Sequence, residues 1–144
     1  MILLDANILL YAFDAAAPEH PRMRSWLEEH LTGSEDVAIP WITFWAFVRI
    51  STNFRLSERP LDPEAAFRVV EGLIGRPQVM IVEPGPRHMQ LLEQMVRDGQ
   101  AAGPRVTHAA LAALAIEQGA TLASTDRDFS RFPDLRWINP LDIG

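Results

Sequence analysis

Cysteine is missing from the chain altogether, which removes disulfide frameworks, thiolate metal sites and cysteine nucleophiles. Lysine is missing too, because all 13 basic residues are arginine. That excludes Schiff-base chemistry and the phosphate-gripping lysine of a P-loop. No apolar run approaches the roughly 18 residues of a membrane span, and the opening residues lack the basic-apolar-small order of a secretory signal. A cytoplasmic protein without a membrane partner is expected. Positive charge is also scarce: 19 acidic residues leave a net charge of −6, which argues against a broad basic face for nucleic acid. Arginine forks around an acidic pocket could still hold a phosphate backbone locally.

What remains is 144 residues, 48% of them hydrophobic, enough for one real core. Without repeats or a composition break, a single domain over 1–144 is expected. Met1 to Leu4 reads as a short buried strand ending at Asp5, followed by a brief helix from Asn7 to Phe13. Further strands are predicted at Val37–Ile39, Val79–Val82, Thr121–Ala123 and, weakly, Trp137–Ile138. Between them lie helical stretches: one ending near Leu31, one from Trp41 to about Thr52, and one capped by Asp62 and opened by Pro63. One more opens at Pro86 and ends near Gly99, and another runs from Val106 to Gln118 and is closed by Gly119. Trp41, Phe44, Trp45, Phe47 and Val48 read as core. His20, His30 and His88 show no metal-ligand spacing and read as surface residues.

Short apolar strands alternating with helices indicate a parallel sheet covered on both faces, an α/β fold. Such sheets carry their sites beyond the carboxyl ends of the strands, where strand order reverses. Asp5 and Asp126 both stand at strand ends. If those strands are neighbours, the two carboxylates converge although 121 positions separate them. Carboxylates gathered without lysine repel one another, and a hard divalent cation is the usual remedy. Such an ion suits phosphodiester cleavage, which makes a metal-dependent nuclease the leading hypothesis.

Three segments, taken in order, resemble one family: Asp5-Ala-Asn7 through Ala12, Ile39-Pro-Trp-Ile-Thr43 through Arg49 to Asn53, and Ala120 through Asp126-Arg-Asp128-Phe129. The chain resembles a PIN-domain toxin of the VapC type over essentially its whole length. The resemblance implies a three-layer α/β/α domain with a short, mostly parallel sheet of four to five strands. It also implies an endoribonuclease using Mg²⁺ or Mn²⁺, a homodimer, and silencing by a VapB-like antitoxin. Asp5 and Asp126 fall on family acids, and Asn7 and Asp128 on accessory polar positions. Thr125 becomes a supporting hydrogen-bonding group, with Thr43 and Arg49 as further polar positions. Two positions depart from the pattern, since Ala46 stands where the family's usual Glu falls and His108 where its usual Asp falls. His108 could ligate Mn²⁺ or shuttle a proton, and Asp98 or Asp128 could compensate for the missing acids.

Blander readings stand beside these. Asp5 could simply cap the helix after it, and Asp126 with Asp128 could form a capped turn. Arg49 and Arg55 fit phosphate contacts and solvated helix ends equally well. Loss of two acids also allows a degenerate domain that binds RNA or antitoxin without cutting. Receiver and haloacid-dehalogenase-like phosphoryl-transfer domains also place Asp at strand ends, but both rely on a lysine that is absent here.

Overall fold

A computed structural model describes residues 1–142. Five strands form the sheet: β1 (Ile2–Leu4), β2 (Val37–Pro40), β3 (Val79–Val82), β4 (Thr121–Ala123) and β5 (Trp137–Ile138). All four pairings are parallel, in the order β3-β2-β1-β4-β5. Six α-helices cover it: α1 (Ala6–Ala12), α2 (His20–Leu31), α3 (Trp41–Ser51), α4 (Pro63–Ile74), α5 (His88–Asp98) and α6 (Arg105–Gln118). The expected three-layer α/β fold is therefore the observed one, with five strands and no antiparallel pair among the described residues. Among the described residues, no helix is long and apolar enough to cross a membrane.

Alternation along β1 separates two cores, because successive strand residues point to opposite faces. Ile2 and Leu4 pack with α1 to α4 around Met23, Phe44 and Phe47, whereas Leu3 faces Met95, the α6 alanines and Phe129. The alanines at 109, 112, 113 and 115 are all buried, so α6 lies close against the sheet. Its end is set by Gly119 at φ 66°, a left-handed conformation that glycine adopts without steric cost. Gly99 has a different reason to lack a side chain: a Cβ there would come within 2.5 Å of the Phe132 ring.

Two expectations need correction. Trp41 and Trp45 are not core, being 39% and 68% exposed, since α3 buries only the stripe of Thr43, Phe44, Phe47 and Ser51. Aromatic density measures the helix's apolarity; on its outer face Trp41 meets Phe44 and donates its indole N–H to Glu83 Oε1 at 3.0 Å, while Ile42 and Trp45 stay exposed. His20, His30 and His88 are half-buried and not simply surface residues. The Nδ1 atoms of His20 and His30 lie 2.9 Å from the carbonyls of Tyr11 and Trp26.

Candidate active site

The sheet's order reverses at β1 and β4, and parallel pairing of Leu4 with Ala123 brings the two strand ends side by side. Asp5 leaves β1 there, its N–H donating to the Ala123 carbonyl at 3.0 Å. Its carboxylate caps α1, accepting from the Ala6 N–H at 2.8 Å. The capping reading is borne out, and the cap takes Oδ1 alone, leaving Oδ2 turned toward β4.

Ser124 connects the two strand ends. Its hydroxyl is fully buried, donates to Asp5 Oδ2 at 2.7 Å, and accepts from the Asp126 N–H at 3.1 Å and from Asn7 Nδ2 at 3.0 Å. Asn7 also donates to Asp5 Oδ2 and accepts the Thr125 N–H on its Oδ1. Thr125 therefore contributes its backbone, and the supporting hydroxyl belongs to Ser124, which the sequence reading passed over. The available signal was alternation: position 124 continues a buried strand, where a hydroxyl must find partners. Ser124→Ala strips a donor from Asp5 and an acceptor from two part-buried N–H groups. We expect it to cost about 1–3 kcal/mol, read from the denaturant midpoint. An unchanged midpoint would show that the network contributes nothing to stability.

His108, on the first turns of α6, lies between the two later acids. Its Nε2 is 3.2 Å from Asp126 Oδ2 and its Nδ1 is 2.7 Å from Asp128 Oδ2. Asp128 is held below the usual carboxylate range, first by its bond with His108 and then by Arg131, whose Nε lies 2.8 Å from Oδ1. An ionised carboxylate only accepts, so Nδ1 carries the proton in this pair. Arg105 stands 3.4 Å from the same Oδ1, and Arg131 also reaches the Gly99 carbonyl. Asp128 N–H in turn donates to Asp126 Oδ1 at 2.9 Å. Phe129 packs against the His108 ring in a tilted contact, with centroids 5.0 Å apart and planes at 49°.

Burial pushes the Asp5 carboxyl above its ordinary range, and the Ser124 hydroxyl, the Ala6 N–H and His108 pull it back. Asp126 adds repulsion in the upward direction, so the two carboxylates feel one another across the strand ends. Among the described residues, no three His, Asp or Glu side chains form a ready-made cation cluster. The donor set is a pair of hard carboxylates, which fits Mg²⁺ or Mn²⁺ with most of its waters retained and does not fit a closed protein cage. Thr43, buried on α3, donates to the Leu4 carbonyl at 2.8 Å and fixes that helix over the end of β1. Ala46 is half-buried one turn further and brings no charge. Arg49, Arg55 and Asp98 are exposed, and the link from the α5 corner to the acids runs through Gly99 and Arg131 instead of Asp98.

Comparison with known proteins agrees with this architecture. Residues 2–135 match the PIN domain family. Ribonuclease VapC31 of Mycobacterium tuberculosis is 36% identical over 140 residues, covering 97% of this chain and 99% of that protein. Ribonuclease VapC43 of the same organism is 38% identical over 142 residues, covering 99% and 97%. Among solved structures, a toxin–antitoxin complex from Klebsiella pneumoniae superposes with a TM-score of 0.68 at 16% identity, covering 97% of this chain and 98% of that one. The match is confined neither to a fragment nor to the strand-end motifs: this chain belongs to the PIN domain family and, within it, to the VapC group.

Proposed function

We propose that the chain is a metal-dependent endoribonuclease, the toxin of a toxin–antitoxin pair. The observation behind this reading is the meeting of Asp5 and Asp126 at the sheet's switch point, in a chain whose relatives are named ribonucleases. Asp5 and Asp126 would hold the divalent ion. When bound, that ion supplies positive charge to a reaction that builds negative charge on the phosphate. Ser124 and Asn7 fix the Asp5 carboxylate, while His108 and Asp128 fix Asp126 from its other side. With both ring nitrogens facing carboxylates, His108 serves here as a positioning residue ahead of a ligand. Arg105, more than half exposed beside the acids, is placed to meet an RNA phosphate.

A VapB-like antitoxin and a second copy of this chain are the expected partners, and the outer face of α3, with Trp41, Ile42 and Trp45, is the apolar surface available to them. The test is cleavage of RNA with Mg²⁺, with Mn²⁺ and with chelator, for wild type and Asp5→Ala. Cleavage should require an ion and should disappear in the variant. Equal cleavage by both proteins would refute the assignment. The degenerate, non-cutting alternative predicts no saturable Mn²⁺ heat and no rise in Tm with the ion, whereas the enzyme reading predicts both.

A further inference from the structure

Between α2 and α4 runs an open cleft of about 380 Å³ that has no part in the acid site. Its charged walls are Arg24 and Glu28, one turn apart on α2, Arg68 on α4 and Arg76 just past that helix's C-cap. Three guanidiniums against one carboxylate leave the cleft positive, in a chain whose net charge is −6. Glu28 does not neutralise them all: its Oε2 lies 3.1 Å from Arg76, but its Oε1 is 4.0 Å from Arg24. Arg24 is held at the cleft by the Phe13 ring, whose centroid is 4.6 Å from Cζ, and by the Ala12 carbonyl at 3.3 Å. Arg68 is exposed and has no hydrogen-bond or ion-pair partner among the described residues. The Arg24 and Arg76 side chains are 44% and 33% exposed, so a ligand in the cleft reaches all three.

Gly72 adds an independent observation. It lines the cleft one turn after Arg68 and one before Arg76, and a Cβ there would meet nothing within 4 Å. Glycine inside a helix costs about 0.5–1 kcal/mol relative to alanine, and neither packing nor a positive φ within this chain calls for one here. A bare turn of helix between two arginines suits a ligand that lies close against the backbone. We propose that the cleft binds a backbone phosphate of the RNA strand whose scissile bond lies at the acids, with Arg24, Arg68 and Arg76 donating to the phosphate oxygens. This rests on the ribonuclease reading. The planar guanidinium fork matches phosphate oxygens, and such contacts fix where a strand lies without reading its sequence. The distance is compatible too. Helix α1 separates the two places, with Asp5 at its N-cap in the acid site and Phe13 at its C-cap in the cleft, about 12 Å apart along the axis.

Gly72→Glu places a carboxylate in the cleft where space is open, and Gly72→Gln is its uncharged equal in size. Both should melt no lower than wild type, because each replaces a glycine inside a helix. Inorganic phosphate titrated into isotope-labelled, metal-free wild type should shift the Nε–H signals of Arg24, Arg68 and Arg76, and Gly72→Glu should abolish those shifts. Fluorescence anisotropy with labelled oligoribonucleotides in chelator should show Gly72→Glu and Arg68→Gln binding about five- to tenfold more weakly than wild type, equally for every sequence. The slope of log K against log salt should shrink by about 0.7 in Arg68→Gln, and Gly72→Gln should bind more tightly than Gly72→Glu. In cleavage assays Gly72→Glu should raise KM for long oligoribonucleotides, while kcat, and KM for those too short to span acids and cleft, stay at the wild-type values. No phosphate shift in the cleft, or RNA affinity and salt slope unchanged in both Gly72→Glu and Arg68→Gln, overturns the inference. Phosphate shifts with RNA affinity and KM unaltered would leave a site for free phosphate or a mononucleotide and overturn its assignment to the substrate strand. Shifts in the cleft with polyglutamate but with neither phosphate nor RNA would overturn it in favour of an acidic protein segment. Phosphate and RNA binding here by a wild type that cuts no RNA would leave the cleft standing and remove the ribonuclease reading.

Discussion

Asp5→Asn should abolish RNA cleavage and yet leave the metal-free protein at least as heat-stable as wild type at neutral pH. The loss of activity follows from removing one of two charged donors for the ion. Disturbing groups that merely support a metal ligand costs up to about 100-fold, and removing the ligand should exceed that. The stability half follows from the raised pKa, whose largest cause is burial. A carboxyl raised in the folded state stabilises the fold fully below the ordinary carboxylate range, and that contribution fades as pH rises through the raised value. Near pH 7 the ionised group is therefore a burden on the apoprotein. The amide has the same shape, can still accept the Ala6 N–H, and carries no charge to desolvate. Melting curves should show Asp5→Asn level with or above wild type at pH 7, with any gap closing below about pH 4 as Asp5 takes up its proton. A Tm well below wild type at pH 7 would mean that the hydrogen bonds from Ser124 and Asn7 outweigh desolvation.

The same residue shows how far sequence could be read. Asp5 ends an apolar run and precedes a helix, and parallel α/β logic alone points it at a strand end with Asp126. Neighbouring strands β1 and β4 then bring the two together. The fold class was legible because short apolar strands alternate with capped or glycine-stopped helices. What stayed hidden depends on packing between distant segments. Nothing in the residues around 108 says that both ring nitrogens will face carboxylates, because that geometry is set by how α6 meets the turn after β4. Thr125 drew attention by adjoining Asp126, but the period of two along β4 turns Ser124 inward and makes its hydroxyl the shared partner. Trp41 and Trp45 were misplaced for a third reason: hydrophobicity reports a wish for burial and not which molecule provides it.

Phe129→Ala should be the most damaging single truncation near the site. The ring is 1% exposed, packs at 5.0 Å against His108 and at 6.2 Å against Phe132, and lies in the core shared by α5, α6 and Leu3. Removing a fully buried phenyl group costs about 3–5 kcal/mol, since the transfer and cavity costs add. For a domain of this size that corresponds to a Tm lower by roughly 10–15 °C. The damage should also reach the acids. Asp128 borders Phe129 in the short 3₁₀ turn Arg127–Arg131, and His108 packs against the ring, so a cavity there loosens both partners of Asp126. Phe129→Leu separates the two effects, because it keeps most of the volume and loses the tilted ring contact with the imidazole. It should recover most of the melting temperature while cleaving RNA more slowly than wild type under conditions where both are fully folded. Full recovery of both stability and rate in Phe129→Leu would show that the ring fills space and does nothing to hold His108.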